Sequence, residues 1–272
     1  MNAITLRVKG APGFRVDAST LIPSALASLS TDELTHLELQ GAGERCALGE
    51  LFDIARADAN TPSLLVEGDA RWLDRIGAKL AEGTIEVHGD AGDHAGMGMT
   101  GGALHVHGNA GAFTACEMQG GRLEVHGNTG DFAAGALAGD MDGMSGGTLV
   151  IHGNAGARLA DRMRRGTVLV AGNAGDFAAS RMVAGSVCIA GKTGAHAAYG
   201  MRRGTLVLLH EPRIAPTFTE GGHGFDVFWA LFTRMLAREM APFATLDSRV
   251  LPRRYAGDLA VDGRGELLIA KR

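Results

Sequence analysis

The sequence predicts a mainly β protein: a right-handed parallel β-helix, built as a single-stranded solenoid of 19-residue coils. Three observations lead there. First, the chain repeats itself. GTIEVHGDAG begins at Gly83, and related ten-residue segments begin at Gly102, Gly121, Gly147, Gly166, Gly185 and Gly204, in steps of 19, 19, 26, 19, 19 and 19 residues. Self-similarity at a fixed short period marks units that bury their apolar faces only by stacking. Second, each unit opens with strict alternation: Ile85 and Val87, Leu104 and Val106, Leu123 and Val125, Leu149 and Ile151, Val168 and Val170, Val187 and Ile189, Leu206 and Leu208. A period of two is the signature of a strand with one buried side. Third, the 272 residues include 41 glycines, against 5% aromatic residues. In a chain that is 46% hydrophobic and 21% charged, so much glycine implies many tight turns rather than disorder.

Taken in order, residues 1–60 read as a small α+β cap. ITLRVKG suggests a strand, IPSALASLS a short helix entered by proline, THLELQ a second strand and LGELFDI extended structure. Residues 61–212 form the solenoid, and an imperfect early copy, PSLLVEGDA, ends its strand at Gly68. A 19-residue unit is too short for a strand plus a crossover helix. It fits strand, GNAG turn, short strand and second turn. Equivalent residues then stack ~4.8 Å apart, and seven coils make a prism roughly 30 Å tall. The 26-residue step holds a seven-residue insertion near Gly135–Gly143. In residues 213–272, Gly224–Met240 carries Phe225, Phe228, Trp229, Phe232, Met235, Leu236 and Met240 at helical spacing. RRYAGDLAVDGRGELLIAK then suggests a hairpin turning at Asp262–Gly263.

Equivalent positions form ladders. Met99, Met118, Met144, Met163, Met182 and Met201 each precede the next unit's glycine by three residues. An unbranched, adaptable side chain suits an irregular corner of a core, so packing is expected there rather than copper or haem ligation. Asn109, Asn128, Asn154 and Asn173 stack at the first turn, with Asp90 and Lys192 in the flanking units. Asparagine is expected there for a left-handed turn and for hydrogen bonds along the stack. On the outward face the early coils are polar: Glu86 and His88, His105 and His107, Glu124 and His126. The late coils turn apolar through Val150, Leu169, Ala171, Cys188, Ala190, Val207 and Leu209. A contiguous apolar face needs a cover, and the Gly224–Met240 helix is expected to lie over the last three coils.

The candidate contact residues are basic. Arginine outnumbers lysine 22 to 4. Arg162, Arg164, Arg165, Arg181, Arg202 and Arg203 fall at the same turn of three neighbouring coils, making a strip. Guanidinium groups suit carboxylates, so the strip is a candidate contact for an acidic partner or a carboxylate-rich ligand. His88, His107, His126 and His152 fall at one position of four coils. They are expected to face solvent or a partner, because a ladder spreads along a line and a metal needs convergence. GKTG (Gly191–Gly194) looks like a phosphate loop but is another copy of the GNAG turn, with the wrong glycine spacing and no helix after it. Asp140 and Asp142 in the insertion are expected to form a polar contact loop.

The remaining signals are exclusions. A net charge of −4 argues against nucleic-acid binding. Cys46, Cys116 and Cys188 are odd in number and form no CxxC pair, so no disulfide framework or metal knuckle is expected. No apolar run approaches a membrane span, and the start lacks a signal-peptide core, so a cytoplasmic protein is expected. No nucleophile elbow, HExxH or Cys–His signature is present, and no catalytic, cofactor-binding or metal residue is assigned.

From about Pro62 to Pro212, the pattern G-x-[LIV]-x-[VI]-x-G-N-x-G with an M-x-x-G corner resembles the GxGxG β-helix domain. That domain closes the large subunit of glutamate synthase and forms the C-type subunit of formylmethanofuran dehydrogenases. The ends, ALGELFDI and RRYAGDLAVDGRGELLIAK, are similar to the second group. The resemblance implies a scaffold subunit of an enzyme complex, with the chemistry on its partners. Archaeal members belong to tungsten or molybdenum formylmethanofuran dehydrogenases. A related bacterial formyltransferase/hydrolase complex passes a formyl group from tetrahydromethanopterin to a methanofuran-type carrier and releases formate, in one-carbon metabolism and formaldehyde oxidation. The arginine-rich, lysine-poor composition tilts the expectation to the bacterial setting. Its implied partners are a formyltransferase subunit, an amidohydrolase-like hydrolase subunit and a dehydrogenase-like subunit. Implied cofactors of the complex are the carrier and tetrahydromethanopterin, with none held by this chain alone.

Overall fold

A computed structural model describes residues 3–222 and 225–270. Gly224, where the expected helix segment begins, and Lys271, where the expected hairpin segment ends, lie outside the described residues. The chain is mainly β. Numbered along the chain, the N-terminal elements are β1 (Ala3–Val8), β2 (Val16–Asp17), α1 (Pro23–Ala27), α2 (Thr31–Thr35), β3 (Glu38–Gln40), β4 (Arg45–Ala47), α3 (Leu48–Leu51) and β5 (Phe52–Ala57). The repeats supply β6 (Ser63–Glu67), β7 (Leu73–Asp74), β8 (Thr84–His88), β9 (Thr100–Val106), β10 (Gly120–Val125), β11 (Ser145–Ile151), β12 (Arg165–Val170), β13 (Ser186–Ile189) and β14 (Thr205–Leu208). The C-terminal elements are β15 (Thr219–Glu220), α4 (Asp226–Glu239), β16 (Arg253–Gly257) and β17 (Gly265–Ile269).

One 13-stranded sheet runs β15-β16-β17-β14-β13-β12-β11-β10-β9-β8-β6-β1-β5. It is parallel from β1 through the repeat strands to β17. At the ends the pairing is antiparallel: β5 against β1, β16 against β17, and β15 against β16. Register follows the sequence repeat: Ile85 pairs with Leu104, Leu104 with Leu123, Leu123 with Leu149 and Leu149 with Val168. A second line of parallel bridges joins Ala110, Thr129, Ala155, Ala174 and Thr193. Between the two lines lies the core, which holds the inward residues of every repeat strand. Met99, Met118, Met144, Met163, Met182 and Met201 are all fully buried within it.

Two uses of glycine set the turns. The glycine that opens a repeat strand sits in the left-handed region, as at Gly185 with φ +101°. The turn glycine after the strand is needed for close approach instead. A Cβ at Gly108 would lie 2.3 Å from Asp90 Oδ1 and 2.6 Å from the Gly89 carbonyl oxygen. The asparagines, by contrast, have ordinary φ. The non-glycine left-handed residues cluster at the second turn, for example Phe113, Ala115 and Glu117 at +58°, +56° and +56°. Asn109, Asn128 and Asn154 serve the ladder through their side chains rather than through a left-handed backbone. Each side-chain oxygen accepts from the next rung's backbone amide. Asn109 Oδ1 takes both the amide and the side-chain N–H of Asn128, at 2.8 and 3.1 Å. Asp90 starts the ladder, accepting from Asn109, and Lys192 ends it, donating its amide to Asn173. That contact occupies the GKTG turn.

The ends differ in detail from the sequence expectation. LGELFDI is not wholly extended: α3 takes its first four residues, with Glu50 accepting from the Ala47 amide, before β5 begins. The short helix α2 was not expected, although Ser30 and Glu33 form a capping box. The hairpin turn is broader than Asp262–Gly263, because a 3-10 turn over Leu259–Val261 precedes the left-handed Asp262. β17 then continues the parallel stack beside β14. No helix among the described residues is long and apolar enough to cross a membrane.

α4 covers the apolar outer face. Trp229, Leu236, Met240 and Phe243 pack with Val150, Leu169, Cys188, Val207 and Leu209 in a second buried cluster. This cover reaches further than the last three coils, back to Val150 on β11. Burying one tryptophan removes roughly 150–250 Å² from water, about 4–6 kcal/mol gross. Asp226 in the first turn and Arg238 in the last complement the helix dipole.

Candidate docking surfaces

The corner around Met163, Met182 and Met201 carries the arginines. Arg162, Arg164, Arg181 and Arg202 line one cavity of about 410 Å³, together with Tyr199 and Asp258. Arg165 and Arg203 are exposed beside it. Half of this strip is held within the chain. Arg162 donates to the Asp140 carbonyl oxygen, and Arg164 to the Asp142 carboxylate, so the insertion folds back onto the strip. Arg181 clamps Asp161 through Nε at 3.0 Å and Nη2 at 2.5 Å. Asp161 is 2% exposed and also accepts from Ser180 Oγ. Among the described residues, the guanidinium groups of Arg165, Arg202 and Arg203 meet no carboxylate. The expected six-arginine strip is therefore three held arginines and three free ones.

The floor of the cavity is acidic. Asp258 is 3% exposed and accepts from the Gly200 and Ala260 amides at 3.0 Å each. Burial alone would raise its pKa. Hydrogen bonds from Thr217, Ala260 and Gly200 outweigh burial and hold it below the usual carboxylate range. Asp140 meets a different carboxyl, Glu117. Burial first, then Asp140, push Glu117 above its ordinary range, and the Leu137 amide pulls the other way. The insertion thus adheres through an arginine–aspartate pair on one side and a carboxyl pair on the other.

The outward polar face holds the histidines in one row. His107, His126 and His152 stack with centroids 5.1 and 4.9 Å apart and planes within 17°. His88 meets His107 edge-on, at 4.6 Å and 81°. Glu124 accepts from His152 at 2.7 Å and from Arg122 at 3.4 Å. Burial opposes its ionisation, but His152 and Arg122 overcome that and lower its pKa. A further ladder has no counterpart in the sequence expectation: His94, Phe113, Phe132, Arg158, Phe177 and His196 stack along the second turn. Its signal is the recurring large residue two places after each turn glycine, as in GAFTA, GDFAA and GARLA. Cysteine chemistry finds no support at the two repeat cysteines. Burial pushes the Cys116 thiol up to about 12 and raises that of Cys188 as well.

Comparison with known proteins draws on this same architecture. Residues 65–219 match the GXGXG motif family. Over 88 residues the chain is 44% identical to the Fhc C-type subunit of the formyltransferase/hydrolase complex of Methylorubrum extorquens, a span of 32% of each protein. It is 29% identical over 97 residues, 36% of each protein, to the C-type subunit of a tungsten-containing formylmethanofuran dehydrogenase 2 of Methanococcus maripaludis. These matches span about a third of the length of the curated relatives. A chain from the crystal structure of the Methylorubrum extorquens formyltransferase/hydrolase complex (FhcABCD), in complex with methylofuran, superposes with a TM-score of 0.91. It is 42% identical, with 98% of this chain and 100% of that chain covered.

Proposed function

This chain belongs to the GXGXG family, in the group of C-type subunits of formyltransferase/hydrolase complexes, and from that premise we propose that it is a non-catalytic scaffold subunit of such a complex. The observation that carries the reading is the end-to-end match to a chain of the four-subunit assembly. A shared cap, shared repeats and a shared C-terminal cover favour the same docking faces. The fold is then a right-handed parallel β-helix of 19-residue coils, capped by residues 1–60 and 213–272. Its working surfaces are long and stiff, because the asparagine corner is tied rung to rung by hydrogen bonds.

The partners would be a formyltransferase subunit, an amidohydrolase-like hydrolase subunit and a dehydrogenase-like subunit, assembled in the cytoplasm. The complex would move a formyl group from tetrahydromethanopterin to a methanofuran-type carrier and release formate. Arg165, Arg202 and Arg203, with Arg162, Arg164 and Arg181 behind them, fit an acidic partner surface or a carboxylate-rich tail of the carrier. The internal pairs of Arg164 and Arg181 limit that fit to the three free guanidinium groups. A reconstitution tests the proposal. Co-expressing the other three subunits with and without this chain should give formate release from formyl-tetrahydromethanopterin only with it, and none from the chain alone. Full activity of the three-subunit mixture would contradict the proposal.

A further inference from the structure

Two groups on the outward polar face bring three metal-ligating atoms within 4.8 Å of one another: Glu86, His88 and His107, and Glu124, His126 and His152. The orientation of the rings separates them. An imidazole binds a metal through a lone pair that lies in the ring plane, so a shared ion must lie in both planes. His126 and His152 are stacked, 4.9 Å apart with planes at 17°. Such planes share no line between the two rings. His88 and His107 are edge-on, 4.6 Å apart with planes at 81°. Their planes cross, so an ion on the crossing line lies in both ring planes, as in-plane lone pairs require. Glu86 Oε2 already lies 3.2 Å from His88 Nε2.

We propose that Glu86, His88 and His107 form a binding site for a borderline divalent transition cation of the zinc class. Two imidazoles and one carboxylate are a known three-ligand set for zinc, with metal–donor distances of about 2.0–2.2 Å. Donors around a tetrahedral ion of that size stand about 3.4 Å apart, so modest side-chain rotations close the present spacing. The half-exposed side chains of His88 and Glu86 leave room for that movement and for water or a partner's group in the fourth position. Beside the site, Glu67 pairs with His88 across the strands and is held by Arg7 at 2.6 Å, so it does not compete for the ion.

The test is a titration of the full chain with Co²⁺ and Zn²⁺. One equivalent of Co²⁺ should bind with visible d–d bands of a nitrogen–oxygen site, and Zn²⁺ should displace it. His88→Ala or His107→Ala should weaken Zn²⁺ by ~100-fold or more, since loss of an outer-shell partner alone costs 10–100-fold. His126→Ala and His152→Ala, at the stacked rungs, should bind as the parent does. The proposal is overturned by unsaturable Co²⁺ binding, by retained affinity in His107→Ala, or by an equal loss in His152→Ala.

Discussion

Arg122 on β10 donates to Glu239 at the end of α4, Nη1 to Oε2 at 2.7 Å across 117 residues of sequence. The pair marks where the helix stops covering the sheet. Beyond it, toward β11, the outward residues are apolar and lie under α4. On the other side they are polar and open. The helix therefore divides one face of the stack into a sealed apolar half and an open polar half.

Hydrophobic burial, rather than this ion pair, should hold the helix. Trp229 is fully buried and donates Nε1 to the Val250 carbonyl oxygen at 2.9 Å. Trp229→Ala should cost about 3–5 kcal/mol in chemical denaturation. Arg122→Ala, at a half-exposed pair, should cost about 0.5–1 kcal/mol. Equal losses would mean that the helix is held electrostatically.

The asparagine ladder is directional, and the two ends of a side chain are not equivalent. Asn128→Ala leaves the Asn154 amide without its acceptor and should destabilise by about 1–2 kcal/mol. Asn128→Asp keeps that acceptor but sets a carboxylate against Asn109 Oδ1. It should be destabilised at pH 7 and recover towards pH 4, as thermal melts at the two pH values would show. Asp90 escapes this conflict because Arg71 lies beneath it, 3.5 Å away.

The Glu117–Asp140 contact predicts a pH dependence of definite sign. The folded-state pKa of Glu117 is raised. Its contribution to stability is therefore complete below the unfolded carboxyl value and is lost as pH rises through the raised one. Glu117→Gln does not titrate there and should melt higher than the parent at pH 8, with the gap closing towards pH 4. Hydrogen exchange at Leu137–Asp140 should slow in the variant at high pH. A gap that widens in acid would contradict the assignment.

The arginine corner predicts an effect on assembly, not on folding. Replacing Arg165, Arg202 and Arg203 together by Ala should leave the thermal midpoint near the parent's, because exposed charges contribute little stability. It should lower the yield of assembled complex or its carrier content severalfold, read by quantitative mass spectrometry of the purified complex. Arg181→Ala is a different case. It strands the buried Asp161 carboxylate and should destabilise the chain by about 3 kcal/mol or more.

What was legible in the sequence was what repeats. A spacing of 19 residues puts Ile85, Leu104 and Leu123 in one register, and the apolar turn of the outward row at Val150 announces a cover. The aromatic ladder of Phe113, Phe132 and Phe177 was equally periodic. It was hidden because Arg158 and His196 interrupt its chemistry while keeping its stacking geometry. Charge balance was not legible. Asp142 and Asp161 reach the arginines through a folded-back loop and a buried corner, which no period encodes. The ring angles that separate His88 and His107 from the stacked rungs are likewise rotamer choices made after the backbone is set.

The most direct measurement is native mass spectrometry of the tagged chain purified from its own cells. A scaffold role predicts a hetero-oligomer in which this chain is accompanied by a formyltransferase subunit and a hydrolase subunit. A chain that emerges only as a monomer, or only with copies of itself, would contradict it.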